Sequence, residues 1–509
     1  MPTQCVHEVP HRGVLTICVM LATIMQALDT TIANVALPYM MGSLSATLDQ
    51  INWVLTSYIV AAAIMTPVTG FLTARFGRKR IFLVTVAGFT GASVLCGMAA
   101  SLEQMVLFRL LQGVFGAPLV PLSQSVLLDS YPKEKHGSAM ALWGIGVMVG
   151  PILGPTLGGW LTEYYNWRWV FYINLPVGIL TFVGLSAFLA ETKLSRIKLD
   201  WIGFLSLGLA IGALQMMLDR GEQLDWFSSL EVQIEAGLTV LGFYLFIVQT
   251  LTAEQPFIDP RIFRDRNFAV GLMFIFVVGI ILLATLALLT PYLQNLMGYP
   301  VLTAGLVLAP RGFGTMLAMM ICGRLINRVD PRLLLATGFA LTAQVLWEMT
   351  GFTPDVSQWT LIRTGVTQGM GLGFMFVPLS TITFATLTPE FRTQGTALYS
   401  LSRNIGSSIG ISFVTFLLVR NTQAMHSAIT EHVTPYNDAL RDPFVSQIWN
   451  LATEAGRAAL NSEITRQATI VAYGDDFKLM MIVALAVLPL VLLLRRARQS
   501  SGPADAVLE

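Results

Sequence analysis

Charged residues are scarce in this chain. Only 12% of its 509 residues are Asp, Glu, Lys or Arg, whereas about 25% is usual in a soluble domain. With 54% hydrophobic residues and a mean hydropathy of +0.66, the composition excludes an ordinary soluble protein. The formal net charge is only +1, so nothing in the composition indicates a nucleic-acid-binding protein.

Cysteine and histidine are also rare, which limits the possible cofactors. Three of the four cysteines, Cys18, Cys96 and Cys322, lie in apolar runs, and the four together fit neither a disulfide framework nor a metal site. The five histidines all lie in tails or loops: His7, His11, His136, His426 and His432. No GxxxxGK[ST] phosphate loop occurs. We therefore predict no metal, no cofactor, no ATP site and no enzymatic activity.

Long apolar runs, by contrast, recur along the whole chain. A membrane-spanning helix needs about 20 predominantly apolar residues. We predict fourteen such helices, at about 14–37, 51–72, 81–100, 104–128, 138–161, 170–190, 201–219, 232–252, 268–290, 302–322, 333–352, 359–383, 395–420 and 477–494. The fold class is therefore all-α, with fourteen transmembrane helices.

Lys and Arg are distributed unevenly between the predicted loops. With the N-terminus inside, the short inner loops hold sixteen basic residues, and the short outer loops hold only Arg168 and Arg220. Cytoplasmic loops carry an excess of Lys and Arg, so both termini are predicted to be cytoplasmic. One long loop, at about 421–476, then faces outward, and its stretch from Pro443 to Ala472 has helical character.

Short sequence landmarks recur in the two parts of the chain. Pro121-Leu122-Ser123 returns as Pro378-Leu379-Ser380, and Gln112-Gly113 returns as Gln368-Gly369. These repeats map helix 4 onto helix 12, a shift of eight helices. Two six-helix halves alone would give a shift of six, so two extra helices lie between the halves. We predict an N-terminal six-helix bundle, two inserted helices and a C-terminal six-helix bundle that includes the outer loop, at 1–190, 191–267 and 268–509. Parallel repeats with a substrate site between them are typical of transporters.

A stripe of glycines marks the fifth predicted helix. Gly146, Gly150, Gly154 and Gly158 recur every four residues, and Pro151 and Pro155 lie between them. Glycines at this spacing let another helix backbone approach closely. The stripe predicts either a close-packing face alone or a seal on one side of a transport path. In the second case helix 5 packs against the C-terminal half and suppresses uncoupled leak.

Five segments in order resemble motifs of the major facilitator superfamily, in particular its fourteen-helix drug/proton antiporter branch and the EmrB-type multidrug export permeases. They are Leu28–Pro38 (LDTTIANVALP), Gly70–Arg80 (GFLTARFGRKR), Arg109–Gly113 (RLLQG), Gly144–Gly159 and Asn166–Pro176 (NWRWVFYINLP). The resemblance covers nearly the whole chain. It implies the major facilitator fold, with two six-helix bundles plus two inserted helices.

The resemblance also implies a function and partners. It implies proton-coupled multidrug efflux across a bacterial inner membrane, with proton motive force as the energy source. The implied partners are a periplasmic membrane-fusion adaptor and a TolC-type outer-membrane channel, which form a tripartite pump. The outer loop at 421–476 is the docking candidate. The alternative that stays open is a proton-coupled importer or facilitator of a small metabolite, although the helix-5 motif argues against it.

The segment Gly70–Arg80 departs from the family pattern at one position. Ala74 stands where the family usually has an aspartate, which helps to hold the outward-facing state through a charge contact with a neighbouring helix. Its basic residues serve either gating or orientation by the positive-inside rule. The predicted gating residues are Gly70, Arg75, Gly77, Arg78 and Lys79.

Two charges in the N-terminal half are candidates for proton coupling. A charge in the membrane costs about 2.5–3.5 kcal/mol on insertion scales, so Asp29 in helix 1 and Arg109 in helix 4 both need an explanation. Their depths differ by about one helical turn at about 1.5 Å per residue, so an ion pair between them is feasible. The pair is either static or functional. In the interpretation that we favour, Asp29 exchanges a proton and Arg109 modulates its proton affinity.

Other polar residues in the spans are candidates for the substrate cavity. Within the spans four arginines outnumber two carboxylates, which favours anionic or weakly acidic amphiphiles over cations. Such residues more often simply pack helices together. The candidates are Gln26, Asn34, Gln112, Gln215, Arg311, Gln344, Glu348, Arg363 and Arg403. A separate group of aromatic residues near the outer boundaries is expected to anchor the helices at the membrane interface: Trp53, Tyr58, Trp167 and Trp169.

Overall fold

The computed structural model describes residues 11–132, 135–192, 198–326, 328–434, 445 and 448–495, without the side chains of residues 48, 49, 151, 155, 301 and 302. Within these ranges the chain is helical, and no strand occurs. The all-α prediction is therefore confirmed. The helices follow the fourteen predicted spans in order.

The first seven spans are α1 (Arg12–Ser43), α2 (Trp53–Met65 and Thr69–Phe76), α3 (Arg78–Met98), α4 (Leu102–Gly116 and Leu119–Ser130), α5 (His136–Tyr164), α6 (Trp169–Tyr172 and Asn174–Phe188) and α7 (Trp201–Arg220). The remaining seven are α8 (Leu230–Thr252), α9 (Arg266–Pro291), α10 (Val301–Leu325), α11 (Pro331–Met349), α12 (Gln358–Ala385), α13 (Arg392–Thr430) and α14 (Glu454–Val487). Short single turns also occur, at Leu48–Ile51, Trp226–Ser228, Pro260–Arg264, Tyr292–Leu296, Pro389–Phe391 and Leu488–Leu493.

Prolines explain two of the internal breaks. The two parts of α2 meet at an angle of 56°, at a break that contains Pro67, and the break in α4 contains Pro118. Proline lacks the backbone N–H that would continue the helical hydrogen bonds. The sequence-based spans ran through both breaks, because the apolar composition does not change there.

Twelve helices in the described part of the chain are long and apolar enough to cross a membrane, or thirteen when the two parts of α2 count as one span. The remaining helix, α11, is 19 residues long and contains Arg332, Gln344 and Glu348, which lower its hydropathy. It nevertheless buries Leu335 and Phe339 fully and packs between α12 and α14. Counted with the others, it completes the fourteen predicted spans.

The last two helices extend well beyond their predicted ends. Helix α13 is 39 residues long and reaches Thr430, and α14 is 34 residues long and begins at Glu454. Much of the segment predicted as an outer loop at 421–476 therefore continues these two helices. The helical character predicted from Pro443 to Ala472 is present from Glu454 onward, and 435–444 lies outside the described residues.

Helix packing groups the spans on either side of the inserted pair. In the first group α1 packs against α4, α5 and α6, and α4 also packs against α2 and α3. In the second group α9 packs against α12 and α13, α10 against α12, and α14 against α11 and α13. Helices α7 and α8 pack against each other, and α7 also contacts α2 and α13. The division into two bundles and an inserted pair, with boundaries at 190 and 267, stays a proposal from the sequence.

The glycine stripe of α5 faces α1. A side chain at Gly150 would overlap the backbone of Ala27, and one at Gly154 would overlap Thr31. The Thr31 hydroxyl donates a hydrogen bond to the Gly150 carbonyl oxygen over 3.0 Å. The stripe therefore packs against a helix of the same half, and the contact expected between helix 5 and the C-terminal half is made by other residues of α5.

A different side of α5 contacts the C-terminal half. Ile152 lies against Gly312 of α10, and the Ser138 hydroxyl donates to the Gly323 carbonyl oxygen over 3.1 Å. Helix α5 is thus enclosed between α1 and α10. A four-residue spacing of glycines identifies a close contact, but it does not identify the helix that fills it.

Replacement of Gly150 by Ala is expected to lower the thermal unfolding temperature of the detergent-solubilised protein. Its Cβ would meet the Ala27 carbonyl group, which is backbone and cannot move aside. Overpacking of this kind costs about 1–3 kcal/mol.

The control is Gly159→Ala on the same helix, since open space surrounds a Cβ at Gly159. Alanine favours the helix by about 1 kcal/mol over glycine, so Gly159→Ala is expected to leave the unfolding temperature unchanged or raise it. Equal behaviour of the two variants would contradict close packing of α1 on Gly150.

Candidate functional site: the Asp29 network

Asp29 lies within α1 and is completely enclosed by protein, with 0% of its surface exposed. Arg109 of α4 is 1% exposed. Its Nη1 donates to Asp29 Oδ2 over 2.7 Å. The structure thus brings together the two residues selected from the sequence as a proton-coupling pair.

Two amide side chains supply the other donors to Asp29. Gln112 Nε2 donates to Asp29 Oδ1 over 2.8 Å, and Asn174 Nδ2 of α6 donates to the same oxygen over 3.0 Å. The Asn174 amide also donates to Ser93 Oγ of α3 over 2.9 Å. Both carboxylate oxygens therefore accept hydrogen bonds, as an ionised carboxylate requires when it is buried.

Arg109 contacts residues of α2 as well as Asp29 of α1. Its Nε donates to the Val54 carbonyl oxygen over 3.0 Å, and its Nη1 donates to Gln112 Oε1 over 2.8 Å. The Tyr58 ring lies 4.3 Å from the guanidinium carbon, a cation–π contact. The guanidinium is therefore shared between helices α1, α2 and α4.

Tyr58 and Trp167 do not anchor the chain at a membrane interface. Tyr58 is 2% exposed and Trp167 is 4% exposed, so the prediction for these two aromatics is wrong. Tyr58 belongs to the network, and its hydroxyl accepts a hydrogen bond from Gln26 Nε2 over 3.2 Å. Position near the end of an apolar run does not reveal which side of the helix a residue occupies.

The network can respond to a single proton. Removal of one partner from a buried ion pair costs about 3–5 kcal/mol, since the other charge stays buried without compensation. Protonation of Asp29 removes its charge, and Arg109 would then keep only neutral partners. The present arrangement therefore fits the ionised form of Asp29, and uptake of a proton would favour a different position of the Arg109 side chain.

Arg311 is the buried cation of the C-terminal half, at 7% exposed. Its Nη2 donates to the Leu282 carbonyl oxygen of α9 over 3.1 Å, and no ion pair of Arg311 occurs within the described ranges. A small apolar pocket between α9, α10, α11 and α12 surrounds it. Besides Arg311, the pocket is lined by Leu289, Leu293, Val307, Leu308, Met349, Phe352, Leu361, Thr364 and Gly365. Its volume is about 10 Å³, which is room for about one water molecule.

The other predicted cavity residues do not meet in one site. Gln112 belongs to the Asp29 network, and Gln215 of α7 accepts a hydrogen bond from Ser408 over 2.9 Å. Arg363 pairs with Glu348 over 2.7 Å between α12 and α11. Of the remaining members, Asn34 and Gln344 are exposed. Arg403 Nη2 donates to Oδ1 of its neighbour Asn404 over 3.5 Å.

An acidic residue absent from the sequence-based candidates joins the two halves at the end that carries the basic loops. Asp129, near the end of α4, forms ion pairs with Arg78 of α3 and with Arg392 of α13, the latter over 2.5 Å. Ser125 and Thr393 also share a hydrogen bond of 3.1 Å between the halves. Asp129 therefore supplies a charge contact between helices near the segment in which Ala74 replaces the family's aspartate.

The remaining gating candidates shape the same region. Gly77 has φ of +92°, a conformation that favours glycine, and a Cβ there would approach Glu191. Glu191 accepts the backbone N–H groups of Lys79 and Arg80 at the start of α3, over 3.0 and 3.3 Å. Gly70 packs closely on Gln394 of α13, and Arg75 is exposed.

Among the residues of these two sites that escaped selection from the sequence are Asn174, Ser93 and Asp129. Asn174 lies within the family motif Asn166–Pro176, and this position in a motif was the one sign in the sequence that it could have a role. Ser93 carries no signal of its own, because a serine in an apolar helix usually bonds its own backbone. Asp129 sits at a helix end, where a carboxylate needs no special explanation.

Comparisons with known proteins place the chain in a family. A sequence profile of the Major Facilitator Superfamily matches residues 19–411. The chain belongs to this superfamily. Its members are transporters, so this protein is a multi-pass membrane transporter and not an enzyme.

Curated relatives match over nearly the full length. The chain is 38% identical to the fatty acid resistance protein FarB of Neisseria gonorrhoeae, over 96% of this chain and 97% of the relative. It is 37% identical to the multidrug export protein EmrB of Escherichia coli (strain K12), over 94% of each. The resemblance to EmrB-type permeases is therefore confirmed.

Solved structures agree on the fold. The human organic anion transporter MFSD10 matches with a TM-score of 0.59 at 13% identity, over 93% of this chain and 100% of the other. A bacterial homolog of the human lysosomal transporter Spinster, in an inward-facing and unoccupied conformation, matches with a TM-score of 0.55 at 18% identity, over 96% and 98%. At these identities the likeness supports the major facilitator fold alone.

Asn174→Ala is expected to lower the unfolding temperature, because it removes a buried hydrogen bond to Asp29. Hydrogen bonds to charged groups contribute about 1.5–3 kcal/mol. The measurement is thermal unfolding of the detergent-solubilised protein.

Thr181→Val, also buried in α6, is the matched control. The Thr181 hydroxyl bonds only to the Val177 carbonyl oxygen of its own helix, over 2.8 Å. This substitution is expected to have a much smaller effect. An Asn174→Ala protein as stable as the Thr181→Val protein would show that the amide does not support Asp29.

Proposed function

We propose that this protein is the permease of a proton-coupled multidrug efflux system, which exchanges hydrophobic or weakly acidic amphiphiles for protons. The observation that carries the proposal is the Asp29 network, in which a buried carboxylate of the first helix holds a buried arginine. Relatives named for multidrug export and fatty acid resistance support the direction and the kind of cargo. Proton motive force supplies about 2.3 kcal/mol per charge at 100 mV.

The proton cycle follows from the two forms of Asp29. The ionised form attracts Arg109 toward α1, whereas the protonated form does not. Arg109 then keeps the Val54 carbonyl oxygen and the Tyr58 ring, both on α2. The contact between α1 and α4 thus weakens on protonation. In the proposed cycle Asp29 takes up a proton from outside, which favours substrate release, and loses it inside, which favours substrate capture.

The packing of α5 offers a route from this network to the other half. Ala27 and Thr31, on either side of Asp29 in the sequence, contact the glycine stripe of α5. The opposite side of α5 contacts α10 at Gly312, next to Arg311. A shift of α1 therefore displaces the helix at the interface of the two halves, as alternating access between two rocking bundles requires.

The ion pairs of Asp129 support closure at one end of this interface. Arg392 is buried, and its contact with Asp129 joins α13 to α4. Thr396 of α13 adds a hydrogen bond of 3.1 Å to the Pro121 carbonyl oxygen. We assign this closed end to the cytoplasm because the short basic loops lie there. The substrate path in this conformation would then be closed toward the cytoplasm.

We place the protein in the bacterial inner membrane with both termini in the cytoplasm. The extensions of α13 and α14 then project from the outer face, where His426 and Asn461 share a hydrogen bond of 3.0 Å. These extensions are the proposed docking site for a periplasmic membrane-fusion adaptor, which would connect the permease to a TolC-type outer-membrane channel. Their length beyond the neighbouring spans supports this assignment.

Arg311 supports an acidic cargo. It is a buried guanidinium at the edge of an apolar pocket, a combination that suits an apolar body with one anionic group. The pocket is too small in this conformation for such a molecule, so the outer parts of α9 to α12 must separate to admit it.

Asp29→Asn is expected to abolish uphill transport driven by a pH gradient, since asparagine cannot take up and release a proton. The assay is transport of N-phenylnaphthylamine by purified protein in liposomes under an imposed pH gradient. Downhill exchange of the same probe is expected to persist, because Asn can still accept a hydrogen bond from Arg109.

Glu163→Gln is the control, an isosteric amide at an exposed carboxylate near the end of α5. It is expected to transport as the unmodified protein does. Uphill transport by Asp29→Asn would refute the coupling scheme. Probe movement in the same direction as the protons would instead support the importer alternative.

Arg311→Met is expected to weaken binding of anilinonaphthalene sulfonate, an anionic amphiphile, and to spare N-phenylnaphthylamine, which has a similar ring system without the sulfonate. Loss of a hydrogen bond to a charged group costs about 1.5–3 kcal/mol, so the anion should bind roughly ten- to hundredfold more weakly. Fluorescence titration of the purified protein measures both affinities.

Arg311→Lys keeps the charge and is expected to retain part of the anion affinity. Arg363→Met removes a mostly exposed arginine that already has Glu348 as its partner, and it is expected to change neither affinity. Equal loss for the anionic and the neutral probe in Arg311→Met would remove the argument for acidic cargo.

A further inference from the structure

A second buried carboxyl group, Asp476 of α14, lies near the outer ends of α9 and α11. It is 0% exposed, and neither of its oxygens has a hydrogen-bond partner among the described residues. Its neighbour Asp475 is exposed. The proton cycle proposed above does not use Asp476, so its burial needs a separate explanation.

Aromatic side chains pack around this position. Tyr473 and Phe477 flank Asp476 on α14, and the Tyr473 ring lies 5.3 Å from that of Tyr292. The Tyr292 hydroxyl is also buried without a partner in the described structure. Phe352 contacts both sides of the cluster, with its ring 6.2 Å from Tyr292 and 6.5 Å from Phe477. These four rings form an aromatic cluster next to the fully buried Asp476.

The packed helices offer Asp476 no compensating cation. Helix α9 contains no charged residue between Arg266 and its end at Pro291, and beyond that end it contributes the neutral phenol of Tyr292. On α11 the nearest charged side chain is Glu348, which is engaged by Arg363 over 2.7 Å.

The third helix packed against α14 is α13, and it offers Asp476 no compensating cation either. Its contact between His426 and Asn461 sets the register with the antiparallel α14. Asp476, fifteen residues after Asn461, then lies at the level of about 411, within the uncharged stretch 404–419 of α13. On α14 itself the neighbouring charged residues are Asp475 and Lys478, both of which are exposed.

These surroundings favour the neutral form of the carboxyl group. An ionised carboxylate without hydrogen bonds or a counter-charge is costly in an interior of low dielectric constant. The C-terminus of α11 adds to this effect. The Thr350 carbonyl oxygen at this C-terminus lies 3.2 Å from the position that a Cβ on Gly474 would occupy, two residues before Asp476. The C-terminus of a helix carries partial negative charge and disfavours a nearby anion. The surroundings of Asp476 therefore favour its protonated form in this conformation.

The wall that keeps Asp476 dry is shared with the Arg311 pocket. Phe352 and Leu293 both line that pocket. Leu293 follows Tyr292 in a π-helical turn, Tyr292–Leu296, directly after Pro291. Turns of this type break the regular helix and are frequent at functional sites. An amphiphile that widens the pocket by displacing Phe352 or this turn would open a way for water toward Asp476.

We propose that Asp476 is a second proton-binding group of the transport cycle, protonated while the Arg311 pocket is closed and deprotonated when substrate opens it. The O–H bond of the carboxyl group breaks, the proton passes to the entering water, and the carboxylate remains on α14. The inference rests on the proposed proton-coupled export. It adds that substrate capture in the C-terminal half itself expels a proton.

The test compares Asp476→Asn with Asp475→Asn in the full-length protein. N-phenylnaphthylamine is the probe because it is uncharged and brings no acidic proton of its own. Proton release on probe binding is measured with a pH indicator in weakly buffered detergent solution. Release per bound probe is expected to fall by about one proton in Asp476→Asn and to stay unchanged in Asp475→Asn.

Infrared spectroscopy supplies a readout that a merely structural role would not change. The C=O band of a protonated carboxyl group is expected in the unmodified protein and in Asp475→Asn, and it is expected to decrease when the probe binds. In Asp476→Asn the band is expected to be weaker from the start, and the decrease on probe binding is expected to be lost. Asp476→Glu, which restores an acid, is expected to regain proton release.

Two outcomes separate this inference from the proposed function. An Asp476→Asn protein with the full proton release and the full infrared band would overturn the role of Asp476, while the Asp29→Asn result would still decide proton coupling. Absence of proton release from the unmodified protein would overturn both. Asp476→Asn is expected to fold normally, because asparagine resembles a protonated aspartate in size and polarity.

Discussion

The buried ion pair between Asp29 and Arg109 is the interaction on which the N-terminal half depends. A charge within a membrane is costly, and each of these residues is tolerated because the other lies 2.7 Å away. The amides of Gln112 and Asn174 complete the carboxylate shell, and Tyr58 covers the guanidinium. Helices α1, α2, α3, α4 and α6 are thereby tied to one carboxyl group.

The C-terminal half handles its buried charges differently. Arg311 has a backbone carbonyl oxygen as its partner, and Asp476 has none in the described structure. Both groups lie beside apolar side chains near the ends of α9 and α11, and Phe352 lines the Arg311 pocket and contacts Phe477, the neighbour of Asp476. A fully satisfied network resists change, whereas incompletely satisfied groups respond to water or to a ligand. The two halves thus differ in how they hold buried charge, with a fully paired network in one and a partly unsatisfied pocket in the other.

Several features followed directly from the amino-acid pattern. The apolar runs predicted the helices, since each must satisfy its own backbone in a membrane. Asp29 and Arg109 were recognisable because a charge in such a run is rare. The sequence pattern did not predict which neighbouring helix a given side of a helix faces. It assigned Tyr58 to the membrane interface, and it did not identify α1 as the helix that packs on the stripe of Gly150. It also passed over Asp129, whose partners come from two distant segments.

The sequence by itself determined that this chain is an all-α membrane transporter, because hydropathy and the glycine and charge motifs are local properties that residue spacing records. Only the tertiary structure decided which helix fills the glycine stripe, which amides complete the Asp29 shell, and where Asp476 and Arg311 lie relative to Phe352. Those contacts join residues far apart in the chain. Their existence depends on the rotation and bending of whole helices, which packing sets and sequence periodicity leaves open.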